Sequence, residues 1–190
     1  MTSRPAMVIG GVAATAVGGW VLFVGLPRWF GGSRGGAGVP AATAAPDPPG
    51  RRIKASLLYV AEDGMRLSRT ERDVAFGEST VEQARQIIEA QIAPVAEPLV
   101  SAVPPGTKLR AIFVTEDGAA YVDFSREIAS GHSGGSTNEL LTVYTIVDVL
   151  GANLPAIHSV QLLVEGKQVE TLAGHVDLRR PLEKNLAWVQ

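Results

Sequence analysis

An uncharged run from Ala6 to Leu26, AMVIGGVAATAVGGWVLFVGL, constrains this chain more than any other feature. As a helix rising about 1.5 Å per residue it reaches roughly 30 Å, the hydrocarbon thickness of a bilayer. Nothing on it is polar enough to make a face, so a buried helix of a soluble protein is a poor fit. Pro27, Arg28 and Trp29 close the run with an aromatic and a cation that suit a membrane interface. The run therefore predicts a transmembrane anchor over residues 6–27, with residues 1–5 cytoplasmic. A cleaved signal peptide is the rival reading. Its apolar core is ordinarily about 7–15 residues and is followed promptly by a small-residue site. Here Ala42-Thr43-Ala44 comes far downstream.

Charge does not decide which side the rest of the chain faces. Only Arg4 precedes the run, whereas Arg28, Arg34, Arg51, Arg52 and Lys54 follow it. Positive charge favours the cytoplasmic side, yet long domains cross membranes despite such a bias. Residues 28–50 are dominated by Gly, Ala and Pro without apolar periodicity, which predicts a linker. From Arg51 onward, 14 Lys and Arg stand against 18 Asp and Glu. No basic run or basic–aromatic cluster appears, so no nucleic-acid partner is expected. The chain has no cysteine, which excludes disulfides, thiolate zinc sites and a Cys nucleophile.

Residues 51–185 predict one folded domain, with 186–190 a tail. Ile53–Val60 and Met65–Arg72 flank Glu62-Asp63-Gly64. Lys108–Thr115 and Ala119–Phe124 flank Glu116-Asp117-Gly118. Ser159–Val164 and Gln168–Leu172 flank Glu165-Gly166-Lys167. Acidic-Gly turns between apolar alternating runs predict three hairpins. Ser79-Thr80-Val81-Glu82 has capping-box spacing and predicts a helix to about Ile92, apolar along Val81, Ala84, Ile87, Ile88 and Ile92. Ser136-Thr137-Asn138-Glu139 predicts a second helix to Leu150, stopped by Gly151. The expected architecture is α+β: a mixed or antiparallel open sheet with two helices on one face, preceded by the transmembrane helix.

The second helix is apolar around most of its girth. Only Glu139, Thr142, Thr145 and Asp148 break it, as a narrow polar stripe. Either the first helix and loops cover this helix, or another subunit does, and the stripe is the candidate interaction surface. Leu186 and Trp188 in the tail are the other candidates, packing on the sheet or awaiting a partner.

Ile53–Val60 with its Asp-Gly turn, Val103-Pro104-Pro105-Gly106-Thr107-Lys108-Leu109 and Ala119–Phe124 with Ser125 form an ordered series. Glu139–Val149, Ser159–Gly166, Leu172-Ala173-Gly174-His175 and Pro181-Leu182 continue it. In order and spacing these segments resemble the GerMN domain of sporulation and germination proteins and of bacterial envelope lipoproteins. The resemblance spans roughly residues 53–185. It implies a fold similar to ring-building motifs and an extracytoplasmic place for the domain. With the anchor, that means a single-pass inner-membrane protein whose C-terminal domain is periplasmic. It also implies a non-catalytic role in envelope assembly, with other envelope proteins or a second copy as partner. Peptidoglycan binding is the alternative. The single domain and missing lipoprotein Cys depart from the family, so a sporulation role is not carried over.

Chemistry is otherwise sparse. Gly131-His132-Ser133-Gly134-Gly135-Ser136 feeds a helix start, which can hold an anion, but it lacks the Lys and spacing of a phosphate-binding loop. A flexible connection capped by Ser136 is preferred. His132, His158 and His175 show no metal-ligand spacing, so no metal or cofactor is expected. His132 or His175 with Ser133 and Asp123 can be drawn as a hydrolase, but without a Gly-x-Ser-x-Gly elbow. Pro104-Pro105-Gly106 predicts a type II turn.

Overall fold

The computed structural model describes residues 50–190. The expected anchor and nearly all of the expected linker lie outside the described residues. Among those described, no helix is long and apolar enough to cross a membrane.

Strand β1 (Arg52–Val60) pairs antiparallel with β2 (Leu67–Ala75) over its whole length. Their turn follows the expected Asp-Gly chemistry: Asp63 Oδ1 accepts from the N–H of Met65 and Arg66, and Gly64 takes φ 68°. Helix α1 (Thr80–Ile92) starts in the predicted capping box, with Ser79 Oγ on the Glu82 N–H and the Glu82 carboxylate on the Ser79 N–H.

Strands β3 (Leu109–Val114) and β4 (Ala119–Phe124) form the second hairpin. Pro104-Pro105-Gly106-Thr107 leads into β3 as the predicted turn, with the Thr107 N–H on the Pro104 carbonyl and Gly106 at φ 82°. A single turn, α2 (Glu127–Ser130), precedes α3 (Ser136–Asn153). From α3 the chain crosses to β5 (Ser159–Val164), which lies parallel to β4. On its other side β5 takes β6 (Lys167–Gln168) at one end and β7 (Leu182–Glu183) at the other.

The expected single open sheet is in fact two: β1-β2 alone, and β3-β4-β5 with β6 and β7. The reason lies in the outward edge of β1. There the Asn153 side-chain amide bonds both the N–H and the C=O of Ser56, and the Gln91 amide does the same for Leu58. Two residues further on, the Val60 N–H donates to the Val100 carbonyl. Two helix-borne amides thus stand where a neighbouring strand would be. They satisfy buried backbone groups that would otherwise cost about 1–3 kcal/mol each. Both helices pack against both sheets. The shared core is built from Leu57, Tyr59, Ile87, Ile88, Phe124, Ile146, Leu150 and Leu162, all essentially inaccessible. Each such side chain contributes about 1.5–3 kcal/mol of burial.

Three further expectations are corrected. The third hairpin has a β6 of only two residues, because Val169–Leu172 leaves the strand to wrap α3. Gly151 does not stop α3, which runs on to Asn153. Its missing side chain admits Lys184, whose Cβ would stand 3.2 Å from an added Cβ. The second capping box does not form either. Gly135 at φ 86° is the N-cap, no side chain caps it, and Glu139 is turned inward.

Candidate functional site

The polar stripe of α3 is not a surface. Glu139, Thr142, Thr145 and Asp148 are each at most 1% exposed. Other parts of the same chain cover them, which answers why so apolar a helix is stable here. The stripe recruits loops that the sequence pattern leaves unassigned.

Glu139 sits at its head. Its carboxylate accepts the N–H groups of Leu172, Ala173 and His175 at 2.8, 2.9 and 2.7 Å, and lies 3.2 Å from His175 Nδ1. Burial by itself pushes this carboxyl up. The converging N–H groups of Ala173, His175 and Leu172 outweigh it and hold the group below the ordinary Glu range. One turn along, the Thr142 hydroxyl donates to the Ala102 carbonyl at 2.6 Å. It faces His132 Nε2 at 3.2 Å, while His132 Nδ1 accepts the Gly134 N–H. That acceptor role assigns the proton of the neutral ring to Nε2. Thr142 and His132 together pin the loops 100–105 and 131–135 to each other.

The far end of the stripe is less settled. Asp148 Oδ1 accepts the Asn185 N–H at 2.8 Å, but Oδ2 and Thr145 Oγ1 are buried without a partner. Burial pushes the Asp148 carboxyl up to about 6, against the pull of the Asn185 N–H and of Lys184 and Arg69. A folded-state value above the ordinary 3.8 means that the folded protein binds this proton more tightly than the unfolded chain. Stability is therefore lost as pH rises from about 4 to about 6, the reverse of the usual Asp. Asp148→Asn escapes that cost and keeps the acceptor for Asn185. The rise from 3.8 to about 6 corresponds to about 3 kcal/mol as an upper limit, and the high effective dielectric met even at buried sites leaves about 1–2 kcal/mol. The variant should gain that much at pH 8 and nothing at pH 4, read by urea denaturation at both. A gain at pH 4 as large as at pH 8 would show that packing, not ionisation, is responsible.

Between the pinned loops lies a cleft of about 320 Å³, lined by Val60, Gly64, Val100–Pro105, Gly131, His132, Ser133, Asn138, Leu141 and Thr142. Its lining carries no Asp, Glu, Lys or Arg. Of the groups that can be drawn as a hydrolase, His132 and Ser133 line the cleft, but Asp123 and His175 do not, and the His132 ring bonds Gly134 and Thr142 rather than Ser133. Ser133 Oγ accepts from Asn138, Asp123 binds the Gly166 N–H and Arg110, and His175 is on Glu139. Among the described residues no group of three His, Asp or Glu is placed to hold a metal ion.

The tail is tied to the domain. Leu186–Trp188 forms a short 3-10 turn capped by Asn185, and the Gln190 N–H donates to the Leu67 carbonyl. Leu186 remains 39% exposed and Trp188 is half-buried. The sequence pattern located the stripe but misjudged its direction. It also missed Gln91 and Asn153, whose only signal is an amide on the inward side of a helix.

The geometry defines a class of protein: a small α+β domain of two sheets around two helices, with an inward polar seam that fastens loops. Within that class the chain belongs to the Germane family, described as sporulation and spore germination, whose pattern matches residues 56–170. Its fold is shared by a putative lipoprotein from Clostridium perfringens at 23% identity and a TM-score of 0.50, covering 75% of this chain and 93% of that one. The tandem GerMN domains of the sporulation protein GerM from Bacillus subtilis align at 16% identity and TM-score 0.54, over 70% of this chain and 46% of theirs. The first of those domains alone aligns at 19% identity and TM-score 0.51, over 70% of this chain and 96% of its own length. The chain thus spans about half of the tandem protein and nearly all of a single domain. No curated protein matches it.

Proposed function

We propose that this chain is a membrane-tethered, extracytoplasmic interaction domain of the bacterial cell envelope that assembles with other proteins rather than catalysing a reaction. The observation that carries this reading is how the domain uses its polar side chains. Glu139, Thr142, His132, Gln91, Asn153 and Asp123 all hold backbone segments in place. Rigidly presented loops are what a docking module needs. The family description and a neighbour titled a putative lipoprotein support an envelope or sporulation-related setting. The uncharged run over residues 6–26 supports a single-pass tether in the inner membrane.

A cell-wall ligand module is the second reading, and the uncharged cleft favours it. Two measurements separate the possibilities. Protease added to intact spheroplasts should degrade the domain; protection would place it in the cytoplasm and overturn the reading. Proximity labelling from the full chain in its membrane should then mark a defined set of envelope proteins. Labelling no protein while being retained on purified peptidoglycan would favour the ligand module instead.

A further inference from the structure

The outward edge of β2 carries a short stretch of unanswered backbone. In the β1-β2 register the flanking bonds, from Ala61 N–H to the Arg66 carbonyl and from Phe76 N–H to the Arg51 carbonyl, direct the even-numbered groups of β1 outward. On β2 the outward groups are therefore those of Leu67, Arg69, Glu71, Asp73 and Ala75. Three of these are met at the carbonyl: Leu67 by the Gln190 N–H, Asp73 by the Arg52 guanidinium and Ala75 by the Gln83 amide. Among the described residues, nothing meets the outward N–H and C=O of Arg69 and Glu71. The contrast with β1 is sharp, since every outward group there from Ser56 to Leu58 is closed by Asn153 and Gln91.

We propose that this edge is a self-pairing surface, on which a second copy of the chain joins antiparallel about a two-fold axis at Thr70. In that register Arg69 faces the partner's Glu71 and Glu71 faces the partner's Arg69. Four backbone hydrogen bonds form, using the four unanswered groups. Antiparallel hydrogen bonding allows only shifts of two residues. One shift sets Arg69 against Arg69 and the other Glu71 against Glu71, and like charges directly opposite are destabilising. Charged edges ordinarily deter pairing. Here the alternating sign deters every register centred on the open stretch but one. A two-fold closes after two copies, so no open fibre follows.

The tail bounds the interface. Val189 and Gln190 stand beside Leu67, where the partner's Asp73 would come, so the tail must yield its single backbone bond. The contact is small, hence weak in dilute solution. Confinement to a membrane raises the effective concentration. The inference rests on the assembly reading and names its partner.

The Cys-free chain makes the test direct. In the proposed register the two Thr70 side chains face each other across a non-hydrogen-bonded pair, with Cβ atoms about 4.5–5.5 Å apart. Full-length Thr70→Cys in liposomes should form a disulfide-linked dimer under mild oxidation. Ser68→Cys and Arg72→Cys, each displaced by four residues and so about 14 Å from its own copy at about 3.4 Å per residue, should not. Adding Glu71→Arg to Thr70→Cys should slow crosslinking at least tenfold, and adding Arg69→Glu as well should restore it. Deleting Val189 and Gln190 should speed it. Crosslinking of Thr70→Cys no faster than the two controls overturns the self-pairing. If proximity labelling still marks envelope proteins in that case, the assembly reading stands and only this partner is wrong.

Discussion

Glu139→Ala is expected to cost about 3–4 kcal/mol of folding stability, a large share of what a domain of this size holds in reserve. The side chain is fully inaccessible, and its removal orphans the N–H groups of Leu172, Ala173 and His175 in one step. A buried donor left without a partner costs about 1–3 kcal/mol, and water entering beside the half-exposed His175 recovers part of the total. Glu139→Gln should lose less, about 1–2 kcal/mol, because one acceptor oxygen survives while the new amide faces donors. The effect should be local as well as global. Amide exchange at residues 172–175 should speed up by more than the loss of global stability explains.

The pH dependence has a definite sign. The folded-state carboxyl is held below its ordinary value of 4.5, so its contribution is present in full above that value. It is lost as pH falls through the folded-state value. Near neutral pH the wild type keeps its advantage over Glu139→Gln, and strong acid should narrow it. A loss below about 1 kcal/mol for Glu139→Ala, with residues 172–175 still protected, would show that the loop is held by something else.

Gly118→Ala should cost about 3 kcal/mol, from two independent causes. Gly118 takes φ 81° at the β3-β4 turn, where a side chain costs about 1 kcal/mol. An added Cβ would also stand 2.5 Å from the Ala156 carbonyl oxygen and 2.7 Å from His158 Cδ2. The carbonyl belongs to the backbone entering β5 and cannot rotate away. The His158 N–H donates to the Gly118 carbonyl, so relief of the clash also loosens that bond. Gly64→Ala is the control, because Gly64 has φ 68° with nothing within 4 Å of its added Cβ. It should lose only the conformational part, about 1 kcal/mol. Thermal or urea denaturation of both variants separates the causes. Equal losses would remove the steric argument.

The two glycines show how far local reading reaches. Both were legible as Asp-Gly turns, because φ > 0 after Asp is a property of a few adjacent residues. That one faces solvent and the other abuts β5 depends on a crossover through α3, which no local pattern encodes. Likewise the start of α1 was legible, since Ser79 and Glu82 satisfy each other's backbone within a single turn. The same spacing at Ser136 and Glu139 misled. A carboxylate three residues into a helix can reach back to its own cap or across to a distant loop, and three N–H groups from residues 172–175 outbid one.

By itself the sequence determined the hairpin turns, the apolar faces of both helices, the acidic and Cys-free character of the domain and the family series that runs through it. These depend on neighbours within a turn or on composition. Only the tertiary structure decided that the sheet is divided in two and that the α3 polar stripe points inward. It alone left the backbone of Arg69 and Glu71 unanswered. Each of those outcomes turns on where a buried donor or acceptor finds its partner. The partners of Leu58 and Ser56 lie 33 and 97 residues away along the chain. Hydrophobic periodicity reports which side of an element is apolar, and it carries no information about which distant backbone a buried amide or carboxylate will serve.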